Sequence, residues 1–139
     1  ARGRAADAGT ALPVILLDTS ALIDSLTGPK RSARALRRAI AQGERVVLAT
    51  LVLYEWLRGP RRPEELAAQE ALFPRESAIP FGPSEAATAA DLYGRLSRAR
   101  GREIDLAIAA CAIGWDARLW TLNVADFEDI PGLELYRPA

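Results

Sequence analysis

The clearest pattern along the chain is a run of four aliphatic residues, Val14-Ile15-Leu16-Leu17, that stops at the polar triplet Asp18-Thr19-Ser20. An unbroken apolar run of this length predicts a strand covered on both faces, as strands inside parallel sheets are. Leu22 and Ile23 begin the apolar side of a helix, with Thr19 and Ser20 as N-cap candidates and Gly28-Pro29 as its stop. From Lys30 to Ala41, Ala33, Leu36, Ala39 and Ile40 recur at helical spacing, with Lys30, Arg31, Arg34, Arg37 and Arg38 outside. Residues 45–49 read as a second strand. Thr50 follows as an N-cap, opening a nearly all-apolar helix that carries one carboxylate, Glu55, and closes at Arg58-Gly59-Pro60.

A helix over 63–72 starts at Pro63 with Glu64 and Glu65 at the positive end of its dipole. Residues 77–81 predict a short edge strand, confined there by Pro80. Pro83-Ser84-Glu85 opens a long helix to about residue 100, with Ala86, Ala90, Tyr93, Leu96 and Ala99 inward and Glu85 and Asp91 in solvent. The stretch 106–113 is apolar all round and predicts a buried helix, with Asp105 in its first turn where the dipole tolerates a negative charge. Strands at 118–122 and 133–136 complete the pattern. The alternation predicts an α/β fold, three-layer α/β/α with a mostly parallel central sheet. Residues 1–12, small and polar, read as a flexible leader or expression remnant, and 13–139 as one domain.

Composition narrows the chemistry. Half of the 139 residues are apolar, so disorder is not expected, and no run is long enough to span a membrane. The single cysteine, Cys111, cannot form an internal disulfide and sits in an Ala-rich run as a small core residue. This usage suits a cytoplasmic setting. The absence of histidine excludes Ser-His-Asp and Cys-His catalysis, histidine bases and histidine-bearing zinc sites. A formal net charge of zero gives no global attraction to nucleic acid, so any such attraction is local.

Each acid along this pattern has an ordinary explanation by itself: Asp18 at a helix start, Glu55 facing solvent, Asp105 complementing a dipole. Together they mean more. Asp18 and Asn123 follow two predicted strands, Glu55 follows a third, and Asp105 opens a buried helix, so a parallel sheet would gather them at one edge. Clustered carboxylates persist where protons or a cation neutralise them. Without histidine or a cysteine pair, the fitting cation is a hard one, Mg²⁺ or Mn²⁺, which suits activation of water for attack at phosphorus.

Four segments, Leu16-Leu17-Asp18-Thr19-Ser20-Ala21-Leu22, Val52 to Gly59, Gly101 to Ala110, and Thr121 to Phe127, resemble in order the four motif blocks of the PIN domain, nearest to the VapC-type toxins of bacterial toxin–antitoxin pairs. The resemblance covers about Val14 to Pro138. It implies a Mg²⁺-dependent endoribonuclease acting on structured RNA such as tRNA or rRNA, with Asp18 and Asp105 as principal metal ligands and Glu55 as ligand or water-orienting carboxylate. The fourth place falls to Asn123 or to Asp126, three residues on. Ser20, or Thr19, is assigned to fixing the Asp18 carboxylate.

The family's arrangement further implies a homodimer and a cognate antitoxin whose C-terminal segment lies in the active-site groove, often with an Arg. Arg58, Arg61 and Arg62 are the first candidates for RNA phosphate contacts; the stretches 30–38 and 95–102 are others. Trp56, Trp115 and Trp120 are assigned to core packing rather than base stacking. Two alternatives stay open: an RNA-processing PIN nuclease without an antitoxin, and a catalytically degenerate PIN scaffold that only binds partners or RNA. A nucleotide-binding Rossmann domain is disfavoured, because no Gly-rich loop follows the first strand.

Overall fold

The computed structural model describes residues 14–139, and the leader expected at 1–12 lies outside the described residues. Strands β1 (Val14–Leu17), β2 (Arg45–Val47), β3 (Arg118–Trp120) and β4 (Glu134–Leu135) form one sheet in the order β2-β1-β3-β4, with every pairing parallel. Successive strand residues point to opposite faces, and all four of β1 are buried, Ile15, Leu16 and Leu17 completely. Both faces of the sheet are therefore covered.

The helices are α1 (Thr19–Leu26), α2 (Ala33–Ala41), α3 (Thr50–Arg58), α4 (Pro63–Leu72), α5 (Pro83–Arg95) and α6 (Glu103–Gly114), with short 3₁₀ turns at Arg75–Ser77 and Val124–Asp126. Helix α6 buries Leu106 through Ala112 without a break, as an all-apolar helix must. It packs against α5, α3 and β3. Trp56, Trp120 and Phe127 join the fully buried core with Ile108 and Leu119.

Four expectations are corrected. Thr19 and Thr50 are the first helical residues rather than caps, and the cap positions are Asp18 and Ala49, neither making a side-chain cap bond. The strand expected at 77–81 reduces to one parallel bridge, Ala49 with Ile79, between Pro74 and Pro80. Ile40 is exposed near the end of α2. Helix α5 stops at Arg95, and its buried stripe runs through Glu85 and Leu92, while Ala86, Ala90 and Tyr93 face out. Alanine suits either face, so the pattern there was a weak guide. Glu85 lies inside because its carboxylate turns back to accept the Gly82 amide at 3.1 Å, satisfying one of the free N–H groups before the helix.

Register fixes what meets at the sheet edge. Leu17 pairs with Trp120, so the next residues, Asp18 and Thr121, emerge side by side, and the Asp18 amide donates to the Trp120 carbonyl at 2.9 Å.

Candidate active site

Asp18 leaves β1 at its C-terminal end and is almost wholly buried. The Thr121 hydroxyl donates to its Oδ2 at 2.8 Å and the Ser20 hydroxyl to the same oxygen at 3.1 Å. Ser20 Oγ also accepts the Leu122 amide, and Thr121 Oγ1 accepts the Asn123 amide, each at 3.0 Å. The carboxylate is thus held by two hydroxyls that are themselves fixed by backbone. Thr19 does something else: its hydroxyl donates to Glu55 Oε1 at 2.6 Å, tying the first turn of α1 to α3. Glu55 is on the second turn of α3, its side chain mostly covered, with Arg58 Nη2 at 3.9 Å from Oε2.

Asp105, in the first turn of α6, completes the group. Its carboxyl is pushed up to about 6, first by burial and then by the negative charges of Asp18, Asp126 and Glu55, with Arg102 pulling the other way. Asp18 is also raised, by burial above all and to a lesser degree by Glu55, against the lowering effect of the bonds from Thr121, the Thr19 amide and Ser20. Asp105 thus feels the charges of three acids, each from a separate segment. Carboxyl groups raised in this way, gathered at a strand-end edge, mark candidate functional sites.

The donors are all oxygen, the chemistry that suits a hard divalent cation. Among the described residues no three carboxylates close into a preformed metal cage. The surplus negative charge around Asp105 is what such a cation would relieve.

Of the two residues competing for the fourth place, both exposed, Asp126 contributes its charge to Asp105, whereas Asn123 is neutral and its backbone N–H donates to Thr121 Oγ1. Arg102, included among the candidate RNA-facing cations, is instead mostly covered and paired with Asp129, with Nη2 to Oδ1 at 2.6 Å and Nη1 to Oδ2 at 3.0 Å. The bond from Thr121 to Asp18 and the pairing of Arg102 with Asp129 are what the sequence did not indicate. Only the β1–β3 register reveals Thr121 as a partner of Asp18, and nothing local pairs Arg102 with a residue 27 positions away.

The arginine cluster after Glu55 is partly committed. Arg58 lies 5.4 Å from the Tyr54 ring centroid, and Arg62 pairs with Glu65 at 3.4 Å. Arg61 stacks 4.2 Å over the Trp56 ring and donates to the Trp56 carbonyl at 2.9 Å. Trp56 and Trp120 are core residues, and Trp115 is half-buried. Cys111 is buried, its thiol pushed up to about 12 by burial, and no nucleophile.

Comparison with known proteins bears on the fold and the family. The PIN domain family model matches residues 15–133. Ribonuclease VapC19 of Mycobacterium tuberculosis is 38% identical over 125 residues, spanning 86% of this chain and 96% of that protein. Among solved structures, DNA-bound VapBC from Salmonella typhimurium superposes with a TM-score of 0.76 at 23% identity, over 91% of this chain and 98% of that one. VapBC2 from Rickettsia felis, bound to a promoter DNA fragment, gives 0.71 at 21% identity, over 88% and 97%. A family match across nearly the whole described chain, on a parallel sheet whose edge gathers Asp18, Glu55 and Asp105, leaves one assignment: the chain belongs to the PIN domain family.

Proposed function

We propose that the chain is an endoribonuclease of the VapC type, the toxin component of a type II toxin–antitoxin pair, dependent on Mg²⁺ (Mn²⁺ substituting) and cleaving structured RNA such as tRNA or rRNA. The observation that carries this is the Asp105 carboxyl, pushed up by burial and by the charges of Asp18, Asp126 and Glu55, in a site anchored by hydroxyls. The likeness to a named ribonuclease at 38% identity supports it.

Asp18, Asp105 and Glu55 would hold the cation, with Asp126 rather than Asn123 adding the fourth charge. When bound, the cation polarises water and offsets charge on the phosphate. The chain's own groups do the rest. Ser20 and Thr121 fix one oxygen of Asp18, so the carboxylate keeps a single orientation. Thr19 holds Glu55 where it can accept a proton from an attacking water. Arg58, beside Glu55 and largely exposed, is placed to meet an RNA phosphate. Arg61 and Arg62 remain candidates through whatever part of each guanidinium is not committed. The exposed cations Lys30, Arg34, Arg37 and Arg38 extend the basic surface.

Two further surfaces support the partner assignments. Phe81, Tyr93 and Ile104 are exposed large apolar residues along a groove of about 440 Å³ between α5 and α6, and we assign this face to a homodimer. A cleft of about 280 Å³ between α1, α2 and α4, floored by Leu26, Leu36 and Ala68 and lined by Lys30, Arg37 and Arg62 together with Glu64 and Glu65, is a further surface we assign to the antitoxin. Solved structures with the same fold include a toxin–antitoxin complex from Klebsiella pneumoniae and a member of the VapBC family of toxin–antitoxin systems from Mycobacterium tuberculosis. The setting this implies is cytoplasmic, and no described helix is long and apolar enough to cross a membrane.

The test is cleavage of tRNA and rRNA by the purified chain in Mg²⁺, in Mn²⁺ and in chelator, beside Asp18→Asn and Asp105→Asn. Loss of cleavage in chelator and in both variants is expected. Equal cleavage by parent and variants overturns the site. Cation-dependent cleavage with no antitoxin gene adjacent would favour RNA processing, and RNA binding without cleavage would favour a scaffold.

A further inference from the structure

The segment carrying Asn123 and Asp126 has two anchors. One is apolar: Phe127 and Ile130 are buried in the core. The other is Arg102, the residue before α6, and its bonding is unusually complete on one side. Both oxygens of Asp129 take its terminal nitrogens, at 2.6 and 3.0 Å. Nη2 also donates to the Asp126 carbonyl at 2.7 Å, and Nη1 to the Arg98 carbonyl at 2.9 Å. Its Nε is buried with no protein partner. A guanidinium that tolerates one orphaned N–H is being held by its other bonds. Its side chain is only 14% exposed, so it is not a free cation for RNA.

These bonds join the start of α6, which positions Asp105, to the backbone of Asp126. They also commit the guanidinium to Asp129 in a fork-to-fork pair, so its charge stays beside Asp105 and Asp126 without capping either carboxylate. We propose that Arg102, fixed by Asp129, is a positioning residue that seats the Asp126 segment against Asp105 and so sets the spacing of the acidic site. The proposal rests on the nuclease assignment for its consequence and on the hydrogen bonds alone for its geometry.

The experiment compares the parent with Arg102→Gln, Arg102→Lys, Asp129→Asn and the Arg102→Gln/Asp129→Asn double variant. Mn²⁺ affinity is followed by paramagnetic resonance, hydrogen exchange at the amides of residues 124–130, melting temperature, and kcat and KM on RNA. Severing an outer partner of this kind lowers metal affinity or turnover about 10- to 100-fold. We expect that loss in Mn²⁺ affinity and kcat for Arg102→Gln and Asp129→Asn, with KM little changed and exchange quickened at 124–130. Arg102→Lys, which keeps the charge but loses the fork, should recover only part. The double variant should be no worse than the weaker single, because both cut the same link.

Parental Mn²⁺ affinity and exchange in the single variants would overturn the proposal. So would a lowered melting temperature with unchanged Mn²⁺ affinity, which would assign Arg102 to stability alone, or multiplicative losses in the double variant. If the parent itself neither binds Mn²⁺ nor cleaves RNA, the nuclease assignment fails, and the exchange at 124–130 still decides whether Arg102 pins the segment.

Discussion

The Thr19 hydroxyl donates to Glu55 Oε1 across 36 positions of sequence, so the residue next to Asp18 in the chain serves a different carboxylate. Asp18 and Glu55 are both set from the first turn of α1, Glu55 through Thr19 and Asp18 through Ser20. Thr19→Val keeps the side-chain shape and removes the donor. Among the described residues, the ion pair with Arg58, at 3.9 Å, then remains to orient Glu55. Cleavage should fall about 10- to 100-fold, the range for outer partners of a site. Stability should change by about 1 kcal/mol, since water can replace the hydroxyl at a partly exposed acid. Thr19→Ser should restore most of the rate; an equal loss in both variants would show that the methyl, not the hydroxyl, matters.

Thr121 is the more buried counterpart. Its hydroxyl donates to Asp18, which is almost wholly buried, and accepts the Asn123 backbone amide. Thr121→Val should therefore destabilise the fold by about 1–3 kcal/mol, the range for a buried polar group left unpaired. Thr121→Ser should stay within about 1 kcal/mol of the parent. Urea unfolding measures both. Because the Thr121 bond lowers the Asp18 pKa, its loss should also move the acidic limb of the cleavage profile to higher pH.

Gly59 closes α3 with an ordinary negative φ, so no backbone strain demands glycine there. Space does: a Cβ would lie 2.7 Å from Arg61 Nη2. Gly59→Ala should displace the Arg61 guanidinium from the Trp56 face, with a stability loss of about 1 kcal/mol or less, the scale of one cation–π contact. Near-ultraviolet circular dichroism of the tryptophans should change while the far-ultraviolet spectrum does not. An unchanged near-ultraviolet signal would mean the stack contributes no order.

Much of this was legible in the order of residues. The all-apolar β1 and α6 announced a parallel, doubly covered sheet, and their polar neighbours Asp18 and Asp105 fell where such sheets bind ligands. Helix α4 was bounded by its own Pro63 and Phe73-Pro74. What stayed hidden depends on register or rotation. The partnership of Asp18 with Thr121 exists only because Leu17 pairs with Trp120. The buried stripe of α5 turned on where an Ala-rich helix rotates, which alanines do not specify. Arg102 read as one cation in a basic stretch, since its acceptor lies 27 residues downstream.

Asp105 makes the sharpest claim about pH. Its folded carboxyl keeps a proton up to about 6, against an unperturbed value of 3.8, so between those values the folded state binds more protons than the unfolded. The contribution of Asp105 to the stability of the cation-free protein then falls as pH rises through that window and levels off above it. Asp18, raised as well, adds to the same slope. Asp105→Asn removes this share of the decline, so above pH 6 the cation-free variant should be more stable than the parent, while losing cleavage. Added Mn²⁺ should reverse the order: at about 100 times its Kd it stabilises a protein that binds it by about 2.7 kcal/mol, and the variant should gain far less. Denaturation at pH 4.5 and 7.5, with and without Mn²⁺, measures all four states. A variant less stable than the parent at pH 7.5 without cation would mean that Asp105 is satisfied by its protein neighbours, and that the acidic site has no deficit of positive charge for a cation to fill.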